Sequence, residues 1–125
     1  MYSSNKLQSC IDDLLIGGLD DWIPAAEVAS VAITVGGKKD PDEVRELSFA
    51  IIRKLLMEKL VEAGDYIEDE SRSAGFYPWG LSPEASVVRI EKEWIALGRL
   101  PNLYEIFWLS LTEEGKKRAR LLKPD

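Results

Sequence analysis

The groups in this sequence best equipped for chemistry are carboxylates, clustered at Asp12-Asp13, Asp20-Asp21 and Glu68-Asp69-Glu70. Paired acids perform acid-base work only where a pocket drives one pKa away from the other. Each of these clusters is flanked by turn or amphipathic signals that place it on the surface, so the pattern does not predict an active site. The chain contains no histidine, which removes the commonest general base and the commonest metal ligand together. Ser-His-Asp and Cys-His arrangements are therefore impossible. The single cysteine, Cys10, falls on an apolar helical stripe and reads as a small buried hydrophobe rather than a nucleophile. One thiol without imidazole cannot complete a tetrahedral zinc set. Val35-Gly36-Gly37-Lys38-Lys39 lacks the first glycine of a phosphate loop and the hydroxyl residue after its lysine. Asp40-x-Asp42 opens like a calcium loop, but Val44 and Arg45 stand where a third ligand and a glycine belong. The expectation is a protein with no catalytic residues, no metal and no cofactor.

The elements that would carry any other function are legible from periodicity and caps. Leu7, Cys10, Ile11, Leu14 and Leu15 fit a helix over residues 4–16, stopped by Gly17-Gly18. Trp22-Ile23 fits a short strand, and Pro24 suits the first turn of a helix through Ala26, Val28, Ala29 and Val31. Asp40-Pro41-Asp42-Glu43 starts a long helix. Its stripe of Val44, Leu47, Ile51, Ile52, Leu55, Leu56 and Leu60 predicts that it runs on to Gly64. Residues 65–68 then read as a strand. Residues 104–111 are the clearest strand, rich in aromatic and branched types, and are expected to pair with 65–68 as a hairpin. Thr112 caps a last helix with Glu113 and Glu114 in its first turn and Lys116 to Arg120 beyond, the order the helix dipole favours.

At 125 residues with 46% hydrophobic content, the chain suits one domain over 1–125. No window reaches the roughly 20 apolar residues of a membrane span. A lone cysteine and no leader-like start point to the cytoplasm. The formal net charge is −6 and is unevenly spread. Residues 1–43 carry three basic and eight acidic groups, and residues 65–93 carry three and seven, whereas 94–125 carry six and four. Two acidic blocks repel nucleic acid and suit a basic partner.

The order helix, short strand, helix, long helix, strand, strand, helix resembles the winged-helix family, in which two strands form the wing after the third helix. The run Leu111-Thr112-Glu113-Glu114-Gly115 is similar to the Leu-Thr-x-x-Gly pattern with which many of those proteins pass from wing to last helix. The resemblance implies an α+β, mostly helical domain with a two-stranded antiparallel hairpin. This sequence departs from the family between the wing strands, where residues 69–103 are a long insertion. Ser82-Pro83-Glu84 starts a helix there, with Val87, Ile90, Trp94 and Leu97 on one stripe and Gly98 at its end. Phe76-Tyr77-Pro78-Trp79 precedes it as an aromatic turn. Trp79 and Trp94 are candidates to anchor the insertion on the core.

Two function classes compete. A winged helix that reads DNA as a transcriptional regulator would present Arg45, Ser48, Arg53 and Lys54 on the exposed side of the long helix. The acidic balance favours a protein-binding module instead. A small acidic protein with an acidic, aromatic insertion is similar to bacterial immunity proteins, including those of contact-dependent growth inhibition, which bind and block cationic nuclease toxins. That resemblance implies a basic toxin domain as partner, while the acidic balance disfavours nucleic acid and the lack of a long apolar window argues against a membrane. The expected contact residues are Glu68, Asp69, Glu70, Tyr77, Trp79, Glu84, Glu91 and Glu93, acids for charge-guided association and aromatics as anchors.

Overall fold

The computed structural model describes residues 4–123, so residues 1–3 and 124–125 of the expected 1–125 domain lie outside the described residues. The chain is α+β. Its elements are α1 (Ser4–Gly17), β1 (Ile23–Pro24), α2 (Ala25–Thr34), α3 (Pro41–Met57), β2 (Val61–Asp69), β3 (Arg72–Pro78), α4 (Pro83–Leu97), β4 (Trp108–Leu111) and α5 (Glu113–Leu122). The strands form one antiparallel sheet in the order β1-β4-β2-β3.

The helix starts follow from capping chemistry. Asp40 accepts hydrogen bonds from the Asp42 and Glu43 N–H groups at 3.1 and 3.2 Å, with Pro41 at the first helical position. Ser82 does the same for α4 through the Ala85 N–H at 3.1 Å, and Gly98 ends α4 in the left-handed region at φ 72°. The apolar stripe of α3 is fully buried at Val44, Leu47, Ile51 and Leu55, each worth about 1.5–3 kcal/mol. That burial outweighs the few tenths of a kcal/mol by which β-branched residues disfavour a helix.

The long helix is shorter than its apolar stripe predicts. It stops at Met57, and Gly64 lies inside β2. The stop is a reverse turn in which Lys59 takes the left-handed conformation at φ 59°. The Leu60 N–H bonds back to the Leu55 carbonyl at 2.9 Å, and the Lys59 N–H to Leu56 at 3.0 Å. This is the 6→1 and 5→2 pattern that usually uses glycine, and a lysine in that place gives no signal. Ser48, expected on the exposed side of this helix, is instead fully buried, because it lies on the apolar stripe itself, four residues after Val44 and three before Ile51.

The second strand also begins earlier than expected, and it pairs twice. Its first half, Val61 to Gly64, pairs with β4, so the hairpin expected between residues 65–68 and 104–111 forms instead from residues 61–64 and 108–111. Its second half pairs with β3, which lies inside the 69–103 insertion. Asp69 closes the β2–β3 turn by accepting from the Ser71 N–H and hydroxyl at 2.9 and 2.7 Å. The strand expected over 104–111 is only Trp108–Leu111. Tyr104 and Ile106 both adopt positive φ, 72° and 70°. The Phe107 N–H bonds to the Glu105 carbonyl at 2.9 Å, a γ-turn centred on Ile106.

The inner sheet face, with Ile23, Val61, Ala63, Leu109 and Leu111, packs on the helices in one hydrophobic core. Trp94 of α4 is 2% exposed and meets Phe49 of α3 edge-on at 5.6 Å, so the inserted helix is part of this core. No helix among the described residues is long and apolar enough to cross a membrane.

Candidate functional site

The contact residues expected from sequence fall into two groups. Glu68, Asp69 and Glu70 sit exposed at the β2–β3 turn. The Ser71 hydrogen bonds, and then the Arg72 guanidinium, hold the Asp69 carboxyl below its usual range. Asp69 therefore works first as a turn cap. Tyr77 is half-buried, with its hydroxyl donating to the Ser73 carbonyl at 2.8 Å and Arg72 5.5 Å above its ring. The remaining residues gather around α4. Arg89 lies 3.7 Å over the Trp79 ring and donates to Glu93 at 2.8 Å. Glu91 pairs with Arg53 of α3. Glu84 is exposed in the first turn of α4. Of the eight, Glu91 ties α4 to α3 and Trp79 packs on the core, Glu93 pairs within α4, and Glu68, Glu70 and Glu84 make no ion pair among the described residues.

A larger surface feature was missed by sequence reasoning. On the outer face of the sheet Trp22, Tyr66, Phe76, Tyr104 and Trp108 form one chain of ring contacts. Tyr66 is its hub, 6.0 Å from Trp22, 5.6 Å from Trp108 and 6.1 Å from Tyr104. Trp22 stacks on Phe76 at 6.3 Å, and Tyr104 meets Trp108 at 5.6 Å. These separations are those of favourable aromatic pairs. Trp22 is 36% exposed and Tyr104 68%.

Local structure explains how each ring arrives. Tyr66 and Phe76 are directly opposed across β2 and β3, and Trp108 opposes Gly64 on the other side of β2. Gly64 has no room for a side chain, because a Cβ there would strike the Tyr77 carbonyl oxygen and approach the Phe76 Cζ to 2.7 Å. Tyr104 is turned outward by the loop that follows α4. Arg99 grips Glu105 through two hydrogen bonds of 2.7 Å, and the Asn102 N–H adds a third at 2.6 Å. These bonds hold the Glu105 carboxyl down to about 2, with the arginine the larger cause.

Carboxylates border this face. Glu62 and Glu68 lie on the same side of β2 as Tyr66, whose hydroxyl donates to Glu68 at 3.2 Å. Crowding, and next the Glu68 charge, push the Tyr66 phenol up. Asp20 and Asp21 line a cleft with Trp22 and Ser110 that also includes Lys116, itself 3.5 Å from Glu113. Asp20, Asp21, Glu62 and Glu68 enter no ion pair among the described residues.

The remaining reactive groups are accounted for structurally. Cys10 is fully buried with its sulfur 3.8 Å from the Val31 carbonyl, and burial pushes the thiol up, away from thiolate chemistry. Burial and then Asp13 and Asp21 raise the Glu27 carboxyl. No protein-family model, curated protein or solved structure gives a significant match to this chain.

Proposed function

We propose that this chain is an acidic protein-binding module on a winged-helix-like plan that binds and neutralises a basic, nuclease-type toxin in the cytoplasm, as an immunity protein does. In that plan α1, α2 and α3 are the three helices, β1, β2 and β4 the three-stranded sheet, and β3 with α4 an insertion into the wing. The observation that carries the reading is the seat of α4 across α3. A helix that reads DNA must enter the major groove with its outer side open. Here Trp94 covers Phe49 and Glu91 claims Arg53, one of the cations that would meet phosphate. Ser48 is buried, and the Arg45 guanidinium is turned to Asp42 and Glu46 at 3.6 and 3.1 Å. With a net charge of −6, attraction is left for a cationic protein, and charge-guided association suits an inhibitor that must reach a lethal enzyme quickly. The unpaired acids Glu68, Glu70 and Glu84 serve that steering.

The test is a binding series with the cationic C-terminal domain of the large secreted protein whose gene the reading places next to this one. A one-to-one complex that blocks nuclease activity is expected, with association slowed by salt. Glu68→Gln, Glu70→Gln and Glu84→Gln together should flatten that salt dependence. Duplex DNA should bind no tighter than the roughly 10⁻⁴ to 10⁻⁶ M of non-specific contacts. Nanomolar, sequence-selective DNA binding, or a neighbouring toxin domain that is not bound, would overturn the reading.

A further inference from the structure

We infer that the outer face of the sheet, built on Trp22, Tyr66, Tyr104 and Trp108, is the anchoring surface for arginine side chains of a basic protein. The inference rests on the proposed basic partner and adds where and by what chemistry it is held. A soluble protein seldom leaves five contacting aromatic rings on one open sheet face, and an exposed patch of this kind marks an interaction site. The backbone that carries the rings is held in place: Tyr66 and Trp108 sit in paired strands, and the turn that carries Tyr104 is closed by the Arg99–Glu105 grip.

The rim decides what the rings accept. An aromatic platform also suits stacked bases, but single-stranded nucleic acid needs cations beside the platform to follow its phosphates. This rim has Asp20, Asp21, Glu62 and Glu68, all outside ion pairs among the described residues, against Lys116 alone in the Asp20 cleft. Carboxylates next to ring faces suit a guanidinium, which lies flat on a ring while donating to an acid at its edge. The molecule already uses that arrangement internally, with Arg89 over Trp79 and hydrogen-bonded to Glu93. On the outer face the same two partners, rings and acids, stand side by side.

The test uses the whole protein and a capped hexa-arginine peptide, with hexa-lysine and hexa-citrulline peptides as controls. Backbone amide shifts should move at Trp22, Tyr66, Tyr104 and Trp108. Arginine should bind several-fold better than lysine, and citrulline, which keeps the shape without the charge, should not bind. Trp22→Ala and Tyr104→Ala should each weaken the arginine peptide about three- to fivefold. Should either variant fail to fold, the citrulline comparison on the unaltered protein still decides the matter. Shifts confined to α4 or the β2–β3 turn, equal binding of citrulline, or tighter binding of a twelve-residue oligothymidylate would overturn the inference. The two proposals fail separately. A toxin domain bound with no shifts on the sheet face sinks this surface alone. A toxin domain that does not bind, with hexa-arginine still on the rings, sinks the immunity role alone.

Discussion

Gly115→Ala should destabilise the protein, although the same change in an ordinary helix stabilises it by about 1 kcal/mol. Gly115 lies in the first turn of α5, where the helix abuts the backbone of the turn that ends α3. A Cβ there would strike the Leu60 carbonyl oxygen, with the carbonyl carbon at 3.0 Å and the Leu60 Cα at 3.4 Å. That carbonyl cannot retreat without loss, because it accepts the Thr112 N–H at 3.0 Å. Thr112 is tied twice more. Its hydroxyl donates to the Lys59 carbonyl at 2.7 Å and accepts the Gly115 N–H at 3.1 Å.

Overpacking against fixed backbone costs about 1–3 kcal/mol, and displacing one hydrogen bond adds about 0.5–1.5. Set against the helix gain, the net loss is about 0.5–3.5 kcal/mol, centred near 2. For a domain of this size the central value lowers the melting temperature by roughly 4–12 °C. Urea denaturation should show a reduced midpoint at unchanged slope, since compactness is not altered. A variant as stable as the parent, or more so, would refute the argument and return the Leu-Thr-x-x-Gly run to a plain helix cap.

Trp94→Ala should cost about 3–5 kcal/mol, the range for removing a buried tryptophan, because its ring joins Phe49 to Phe107 across 5.6 and 6.5 Å. A loss below 1 kcal/mol in denaturant would mean that α4 is an appendage. The Glu105 carboxyl is lowered from 4.5 to about 2, so its pairing adds stability that is present above the ordinary value and lost as pH falls through about 2. Melts from pH 5 to 2 should therefore contain an acid-sensitive component that Glu105→Gln lacks, and identical profiles would show that the Arg99 grip adds nothing.

The parts of this fold that were legible are those written in local chemistry. Asp40-Pro41, Ser82-Pro83 and Thr112 mark helix starts through side-chain oxygens that accept from nearby backbone N–H groups, Gly98 marks an end through its left-handed backbone, and the chain honours all four. The parts that were not legible depend on residues acting against type. Lys59 takes a left-handed position that favours glycine, so the end of α3 carries no signal. Tyr104 and Ile106 are strand formers by composition, yet the Glu105 side chain holds them in a tight turn. Strand β3 has Gly75 and Pro78 in seven residues and reads as a turn until β2 is there to pair with it. The aromatic face was hidden for a further reason. Its rings come from four separate segments, and no spacing within any one of them predicts that Trp22 and Phe76 will touch.

The insertion between β2 and β4 changes two surfaces at once, which is why the functional reading turns on it. Its helix closes one side of α3 through Trp94 and Glu91, removing the open flank that a DNA-reading helix needs. Its other parts build the opposite surface: β3 extends the sheet beyond β2 and brings Phe76, and the loop after α4 turns Tyr104 outward. Without β3 and that loop, Tyr66 would keep only Trp22 and Trp108 as neighbours. The same stretch that covers one side of α3 therefore supplies Phe76, and through the loop after α4 the outward turn of Tyr104, on the face proposed to hold a basic protein. Deleting it would test neither role, because Trp94 and Ile90 are core residues. The roles separate only by substitutions at its surface, which is why Tyr104 on one side and Glu84 on the other are the positions to change.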